Sequence, residues 1–307
     1  MIDVRRLRVL KAVVESGSVS GAAAFLNYTP SAVSQSITAL ERETGTVLLE
    51  RAGRGIRPTD AALVLCEHAA LVLASVQQAE EALAALRSGR GGRVRVGAFP
   101  TAGSSLVPQA LAAFQQHLPG VALDLTVLEP DEATASLHAG TIDVAVVVET
   151  FAPGHAPSDG LRRRHLLADP FRMVIPRGHR LAARRVVDLE TLASEQWIGV
   201  NSCPGHCQQV VNEAFLRAGF RPRYGLEADE YPTAQGFVAA GLGVALIPLL
   251  ALGAAAHSGV VVRRLKGEQP VRQVWSATRA AIADQVPVRT MLDGLDWAAR
   301  QFVASMS

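Results

Sequence analysis

Residues 16–45 read SGSVSGAAAFLNYTPSAVSQSITALERETG, the pattern of two short helices joined by a tight turn. Ser18 is a favoured N-cap for the first helix, which the apolar run carries to Leu26. Thr29 is an N-cap for the second helix, and Pro30 takes its first position, where the missing backbone N–H costs nothing. A three-residue turn between two such helices predicts a helix-turn-helix unit.

The second helix, which Gly45 ends, has two faces of different chemistry. Apolar side chains recur at Val33, Ile37 and Leu40, the spacing of a buried helical face. The opposite face carries hydroxyl, amide and guanidinium groups, at Ser31, Gln35, Thr38 and Arg42. Such groups hydrogen-bond to base edges and phosphates in a major groove. An ordinary solvated helix face has the same composition, and it is the helix-turn-helix spacing that favours DNA binding.

A basic hairpin is predicted directly after the second helix. Residues 47–49 are typical of a strand, and Arg51–Thr59 sets two glycines among basic residues, as in a wing. Residues 1–59 hold eight Lys or Arg against five Asp or Glu, a net charge of +3, with basic groups where phosphates would lie. On charge alone, a solvated loop is the alternative. The predicted DNA-binding residues are Ser18, Thr29, Ser31, Ser34, Gln35, Thr38, Arg51, Arg54, Arg57 and Thr59.

A long apolar helix is predicted over residues 62–86. Eight apolar positions recur there at 3–4 spacing, and no Gly or Pro interrupts them. On a helix that follows a DNA-binding unit, this stripe predicts a homodimer. A dimer carries two DNA-binding units, which match the two half-sites of an operator. The alternative is that the stripe packs against its own domain. Residues 88–92, Ser-Gly-Arg-Gly-Gly, then form a linker.

Strands and helices alternate in the remainder of the chain. From Arg93 to Val148 the predicted order is strand, helix (about 104–117), strand, helix, strand, which indicates an open parallel sheet. A second unit begins near Leu166, with predicted strands at 171–175, 197–200 and 223–227 and helices at 207–218 and 231–240. The chain returns through a strand at 273–278 and a final helix at 288–304. The fold class is therefore α/β behind a mostly helical N-terminal domain. The predicted domains are 1–60 for DNA binding, 61–90 for the linker helix and hinge, and 91–307 for a ligand-binding domain with lobe I at about 91–163 plus 268–307 and lobe II at about 164–267.

Composition bounds the class of protein and its compartment. The 307 residues are 49% hydrophobic and 19% charged, which is a globular composition and excludes a disordered chain. Three cysteines favour a reducing cytoplasm over a disulfide framework, and no signal-peptide segment follows the Arg-rich start. The uncharged stretch 233–256 is interrupted by Gly and Pro, which predicts buried helix, strand and helix instead of a membrane span. We expect a cytoplasmic protein without a membrane partner.

The chain resembles the LysR-type transcriptional regulators over essentially its whole length. The N-terminal residues that carry the resemblance are Leu7, Ser16-Gly17-Ser18, Ala22-Ala23, Leu26, Ala32-Val33-Ser34, Leu40-Glu41, Gly45, Leu48, Arg51 and Thr59. Later landmarks are Pro108, Pro119, Gly140, Ile142-Asp143, Gly241-Leu242-Gly243 and Ile247-Pro248. The sequence departs from the family at Leu49, where Phe is usual, and at Ala62, where Gly is usual.

This resemblance implies a winged helix-turn-helix domain, a dimerising linker helix and a two-lobed effector-binding domain of the periplasmic-binding-protein kind. It also implies three kinds of partner, which are double-stranded operator DNA, a small effector that is often anionic or aromatic, and RNA polymerase. The assembly that it implies is a homotetramer.

The effector is expected between the lobes, against the first turn between strand and helix in each. These turns are Pro100–Ser104 and Asn201–Gly205, and the free N–H groups of the helices that follow favour an anion. Carboxylates at the ends of two strands close the cleft and oppose a purely anionic ligand. The alternative is that the hydroxyls of the first turn only cap their helix. The predicted effector-binding residues are Thr101, Ser104, Glu129, Asn201, Ser202, Cys203 and Glu227.

Enzyme motifs do not assemble in the sequence. Gly241-Leu242-Gly243 lacks the third glycine of a dinucleotide site and follows a helix instead of a strand. Neither a Walker A lysine motif nor a Gly-x-Ser-x-Gly elbow occurs. We therefore expect no catalytic residues and no cofactor, and an α/β enzyme is only an alternative hypothesis.

The segment Cys203-Pro204-Gly205-His206-Cys207 leaves a second alternative open. Its Gly-His-Cys triplet resembles the reactive-cysteine segment of peroxide-sensing LysR-type regulators, whose resolving cysteine stands nine residues further on. Leu216 occupies that position here, although Cys203 could substitute for it. Metal binding would need further ligands at suitable spacing, and we predict no metal site. Structural or effector-lining cysteines are expected, with a thiol-based redox regulator using Cys203 and Cys207 as the alternative.

Overall fold

A computed structural model describes residues 2–52, 55–88, 92–149, 157–201, 205–253 and 256–306, with backbone only at 51, 52, 55, 82 and 84–88. The chain divides into two compact units. The first is Met1–Gly92 with Ala135–Ile142, and the second is Arg93–Thr134 with Asp143–Ser307.

The N-terminal part of the first unit is helical and ends in a wing. Its elements are α1 (Val4–Ser16), α2 (Val19–Leu26), α3 (Pro30–Thr44), β1 (Leu49–Ala52), β2 (Gly55–Pro58) and α4 (Asp60–Ser88). The predicted caps are confirmed: the hydroxyl of Ser18 accepts from the N–H of Gly21, and that of Thr29 from the N–H of Ala32. Gly45 closes α3 at φ 66°, a left-handed conformation that glycine adopts without strain.

The core of this unit lies where α1, α2, α3 and the start of α4 meet. Leu10, Val33 and Leu40 are completely buried in it. Each side chain of this kind contributes about 1.5–3 kcal/mol when it is buried. Ala62 and Ala69 on α4 belong to the same core. The beginning of the predicted linker stripe therefore packs against its own domain, as the alternative proposed.

One described helical stretch, Asp60–Glu81 within α4, has the length and apolar composition of a membrane span. Only 11% of its most apolar 18-residue segment is buried. The exposed apolar residues of α4 include Val72, Val76 and Leu83. Because the start of the same helix is part of the helix-turn-helix core, the apolar surface of α4 is a face of this folded unit.

The second unit is built on a twisted mixed sheet. Its strand order is β4-β3-β5-β12-β6-β11-β7, with β10 also paired to β6 and with β8 and β9 forming a separate parallel pair. The strands are β3 (Arg93–Ala98), β4 (Ala122–Val127), β5 (Val144–Glu149), β6 (Leu161–Pro176), β7 (Val186–Val187), β8 (Gln196–Val200), β9 (Arg223–Ala228), β10 (Ala245–Pro248), β11 (Val260–Leu265) and β12 (Val271–Arg279). The helices are α5 (Pro100–Ser105), α6 (Val107–His117), α8 (His206–Arg217), α9 (Tyr231–Ala239), α10 (Leu249–Leu252) and α11 (Val286–Ser305), while α7 (Pro130–Ala139) has residues in both units.

The long strand β6 joins the two halves of this unit. Between Leu161 and Pro170 it pairs with β12, and from Phe171 onward it pairs with β10 and β11. The sequence predicted only its second half as a strand and missed β11 altogether. Arginines interrupt the apolar alternation in both segments, and the pairing partners come from distant parts of the chain.

Two further expectations meet different outcomes. The uncharged stretch 233–256 resolves into α9, β10 and α10, as predicted. The predicted helix at 104–117 is wrong at its start, because helical structure begins at Pro100 and breaks at Leu106. Pro100 takes the first position of α5, and Pro108 starts α6 in the same way, since proline fixes a helical φ there.

Candidate DNA-binding face and effector cleft

The exposed face of α3 carries the four residues predicted to read DNA. Val33, Ile37 and Leu40 are buried on the other side of the helix. The exposed side chains are Ser31, Ser34, Gln35 and Thr38. The helix therefore presents one donor-and-acceptor surface to solvent, and the structure brings these four predicted residues together.

Three other predicted DNA-binding residues have structural hydrogen bonds. Ser18 and Thr29 cap α2 and α3. The hydroxyl of Thr59 donates to the carbonyl of Val47 at 2.9 Å and accepts from the N–H of Ala62 at 3.2 Å. Thr59 thus joins the segment before β1 to the start of α4, and the strand predicted at 47–49 begins only at Leu49.

The wing is a tight antiparallel hairpin in which Glu50 pairs with Arg57. Arg57 is exposed, whereas Arg54 and the side chain of Arg51 lie outside the described residues. Sequence reasoning missed the role of Glu41. Its carboxylate accepts from the N–H groups of Leu48, at 2.9 Å, and of Leu49, at 3.3 Å, and so fixes the wing to α3.

The second unit contains a fully buried guanidinium, Arg272 on β12. Its Nε lies 2.8 Å from Oδ2 of Asp169 on β6, and its Nη2 donates to Oγ1 of Thr101 on α5 at 2.8 Å. Its Nη1 lies 3.5 Å from Sγ of Cys207 on α8, and Phe99 packs against its face with 5.0 Å between Cζ and the ring centroid. One side chain thus connects α5, β6 and α8.

The charge of Arg272 is balanced inside the protein. Burial is the largest single effect and lowers the pKa of this guanidinium, but the Asp169 carboxylate acts together with Cys207 and Tyr231 to raise the pKa overall. Asp169 also accepts from the N–H of Leu250 at 3.0 Å, at the start of α10. The cation and its carboxylate form a neutral pair with further hydrogen bonds, so Arg272 is not a free receptor for an anion.

A cavity opens in the second lobe beside this pair. Its enclosed part has a volume of about 50 Å³, and a wider space of about 560 Å³ includes the open solvent at its mouth. Aromatic side chains line much of it: Phe171, Trp197, Phe215, Tyr224 and Tyr231. The polar groups are Asn201, Gln208 and Glu227, at the carboxyl ends of β8 and β9 and at the first turn of α8. Parallel strands commonly place ligands at this end.

The structure places the predicted effector residues in two groups. Asn201 and Glu227 line the cavity together, with 3.5 Å between Nδ2 and Oε2. Thr101 contacts Arg272, and the hydroxyl of Ser104 donates to the carbonyl of Thr101 at 3.2 Å. Glu129 has one buried carboxylate oxygen and is not among the described lining residues of the cavity. Ser202 and Cys203 lie outside the described residues.

The capping alternative for Thr101 and Ser104 is wrong. Phe99 holds the N-cap position of α5 and makes no side-chain capping bond. Thr101 lies within the first turn of the helix, where its hydroxyl serves Arg272. No sequence pattern pointed to Arg272, because it stands 171 residues from its partner Thr101.

The cysteine segment is only partly described. Cys207 is buried, with 3% of its surface exposed, and Arg272 is its polar neighbour. Among the described residues, no group of three His, Cys, Asp or Glu side chains could hold a metal ion.

A winged helix-turn-helix and a two-lobed α/β unit with a ligand cavity define a DNA-binding regulator with a sensory domain. Comparison with known families gives the same class. Residues 4–63 match the bacterial regulatory helix-turn-helix protein, lysR family, and residues 87–298 match the LysR substrate binding domain. The chain belongs to the LysR family of transcriptional regulators, and it is a regulator rather than an enzyme.

Relatives of known name are regulators as well. The chain is 30% identical over 277 residues to the HTH-type transcriptional regulator CbbR of Sinorhizobium medicae, across 89% of this chain and 86% of that protein. It is 32% identical over 251 residues to TfdS of Cupriavidus pinatubonensis, across 80% and 82%. These relatives do not favour the thiol-redox alternative.

Solved structures share the fold. A full-length OxyR variant from Pseudomonas aeruginosa has a TM-score of 0.68 at 22% identity, and the match covers 98% of this chain and 95% of that one. CbnR, a LysR family transcriptional regulator, has a TM-score of 0.67 at 21% identity, with 97% and 99% covered. At this identity the likeness concerns the fold alone.

Proposed function

We propose that this regulator binds operator DNA through the exposed face of α3 and that a small molecule in the cavity of the second unit changes its DNA binding or transcriptional activation. DNA binding is supported by the exposed polar side chains of α3, which can hydrogen-bond to base edges in a major groove. These side chains are Ser31, Ser34, Gln35 and Thr38. Arg51, Arg54 and Arg57 supply the phosphate contacts of the wing.

The domain division that goes with this function is 1–60 for DNA binding, 61–90 for the linker helix and hinge, and 91–307 for effector binding. The change of partners along β6, from β12 to β10 and β11, supports two lobes within the last domain, with a crossing near residue 170. Arg272 reaches elements on both sides of that crossing and provides a route from the cavity to lobe I.

Homodimerisation through α4 follows from its exposed stripe. Val72, Val76, Ala79 and Leu83 are exposed at 4-3-4 spacing, after the part of the helix that its own domain covers. A second copy of the helix would bury this stripe, because paired apolar seams at such spacing form helical dimers. Assembly to a homotetramer, contact with RNA polymerase and a cytoplasmic location complete the proposal.

The test is operator binding by the full-length protein. An operator is first selected from random duplex DNA with the wild type, and affinity is then measured by gel shift. The triple variant Gln35→Ala, Thr38→Ala, Arg51→Ala is expected to lose at least about tenfold in affinity. The double variant Gln115→Ala, Gln116→Ala on α6 is the control and is expected to bind as the wild type does. Unchanged affinity of the triple variant would show that α3 does not read DNA.

A further inference from the structure

We infer that the effector cavity selects a small cationic amine with an aromatic or apolar body. This inference rests on the proposed function and gives its ligand a chemical class. It starts from the charges around the cavity, because the sign of a fixed charge decides which ligand charge it attracts.

Glu227 is the ionisable acid that lines the cavity, and no Lys, Arg or His is among the described lining residues. The hydrogen bond of its carboxylate is to the amide of Asn201. None of the described lining residues supplies a positive charge opposite the Glu227 carboxylate. An ammonium group on the ligand would supply it.

The buried arginine beside the cavity is already matched. Arg272 is paired with Asp169, and all three of its nitrogens have a partner. Arg163 on β6 pairs with Asp159, at 2.6 Å, and with Glu149, at 3.4 Å. His206 precedes the lining residue Cys207 and is not itself among the described lining residues. An anionic ligand would therefore meet no uncommitted guanidinium in either arginine.

The aromatic surface fits the other half of such a ligand. The side chains of Tyr224 and Glu227 both lie over Gly199, where a Cβ would come within 3.3 Å of each. The glycine thus sets an aromatic ring and a carboxylate side by side at the cavity. An ammonium between them gains both a charge pair and a cation–π contact.

The first turn of α8 is the feature that favours negative charge. A helix N-terminus amounts to about half a unit of positive charge, whereas the Glu227 carboxylate is a full negative charge. The N–H groups of this helical turn suit a hydroxyl or carbonyl oxygen on the ligand. The Glu227 carboxylate determines that the ionised group of the ligand is positive.

Three probes of nearly equal shape test the charge class: benzylamine, benzyl alcohol and benzoate. Binding to the full-length wild type is measured by titration calorimetry near neutral pH. Benzylamine, as its cation, is expected to bind at least about tenfold more tightly than either of the others. Glu227→Gln should bring its affinity down to that of benzyl alcohol, and Glu227→Lys should make benzoate the preferred probe. Glu268→Gln, in the exposed turn between β11 and β12, is the control and should leave all three affinities unchanged.

The inference is overturned if benzoate or benzyl alcohol binds the wild type as tightly as benzylamine does. It is also overturned if benzylamine gives no saturable heat up to about 20 mM, or if Glu227→Gln leaves its affinity unchanged. The operator affinity of the same protein preparations is measured as well, and it tests the DNA-binding part of the proposed function independently. If the wild type shows no preference for benzylamine but binds the operator, the charge class alone is refuted, whereas an operator affinity that the α3 triple variant retains refutes the DNA-binding proposal.

Discussion

Arg272 and Asp169 form an ion pair with 2.8 Å between Nε and Oδ2, and their side chains are 1% and 0% exposed. Removing two charges from water costs several kcal/mol for each ion, and the protein offsets this cost with the pair itself and with bonds from Leu250 and to Thr101. Asp169 and Arg272 lie on the neighbouring strands β6 and β12, where the lobes cross. A substitution that removes one of the two charges would leave the other buried without a counter-ion and would destabilise the fold.

Asp169→Asn is therefore expected to lower the free energy of unfolding by about 3–5 kcal/mol, because the buried guanidinium keeps its charge without a counter-ion. Urea unfolding, followed by circular dichroism, measures the loss. The double variant Asp169→Leu, Arg272→Met removes both charges and should recover most of the loss. Asp296→Asn, in an exposed pair with Arg300, is the control and should change stability by less than about 0.5 kcal/mol. A single variant as stable as the wild type would contradict the buried pair.

Gln35 and Arg57 are expected to differ in what they contribute to DNA binding. Gln35→Ala should cost about 1–3 kcal/mol on the selected operator and relax the sequence preference at the bases it reads. Arg57→Ala, on the exposed wing, should weaken all sequences alike and reduce the salt dependence by about one counter-ion. Anisotropy titrations with operator and random duplex at several salt concentrations separate the two. Equal effects of Gln35→Ala on both duplexes would show that Gln35 does not read bases.

Val76→Glu should prevent pairing of the linker helices. Val76 is 41% exposed, so the apolar stripe needs a second copy to be covered, and a carboxylate there would be buried without a partner. Sedimentation equilibrium of the full-length variant should give half the mass of the wild-type assembly or less. Ser75→Glu adds the same charge to the neighbouring exposed position off the stripe and should leave the mass unchanged. If both variants assemble like the wild type, the dimer uses another surface.

Thr101 has a structural role that its position in the sequence does not show. From the sequence, Thr101→Val is expected to blunt effector binding and to leave the ligand-free fold intact. Its hydroxyl accepts from Arg272, so valine leaves a buried guanidinium N–H without a partner, and we now expect a loss of about 1–3 kcal/mol without any ligand. Thr101→Ser keeps the hydroxyl and should stay within about 1 kcal/mol of the wild type. Equal thermal stability of both variants would argue against this contact.

The features that could be predicted from the sequence are mainly those fixed by contacts between residues close to one another in the chain. Ser18, Thr29 and Gly45 mark helix ends through bonds within a few residues, and the helix-turn-helix follows from them. Glu41 and Arg272 were missed, because Glu41 bonds backbone groups seven and eight residues away in the wing and Arg272 bonds side chains 65, 103 and 171 residues away. Strand β11 was missed for the same reason, since its partners β6 and β7 come from distant sequence.

Asp159 gives stability with a defined pH dependence. Its carboxylate accepts from Arg163, with 2.6 Å between Oδ2 and Nη2, and this bond lowers its pKa from 3.8 to about 2. A carboxyl whose pKa is depressed by folding stabilises the protein above its ordinary pKa, and the contribution disappears as the pH falls towards the folded value. Asp159→Asn should therefore lower the free energy of unfolding by about 1 kcal/mol near neutral pH, a value reduced for the 27% exposure of this side chain.

The difference between wild type and Asp159→Asn should shrink as the pH is lowered from about 4 towards 2, since the unfolded chain takes up the proton first. Glu149, which also contacts Arg163, has the opposite sign, because burial raises its pKa. The folded protein holds that proton more tightly than the unfolded chain, so wild type should gain stability relative to Glu149→Gln as the pH falls through the raised folded pKa towards the ordinary value of 4.5, and should gain no more below it. Urea unfolding at a series of pH values measures both slopes. Parallel slopes for the two variants would contradict the assignment of opposite pKa shifts around Arg163.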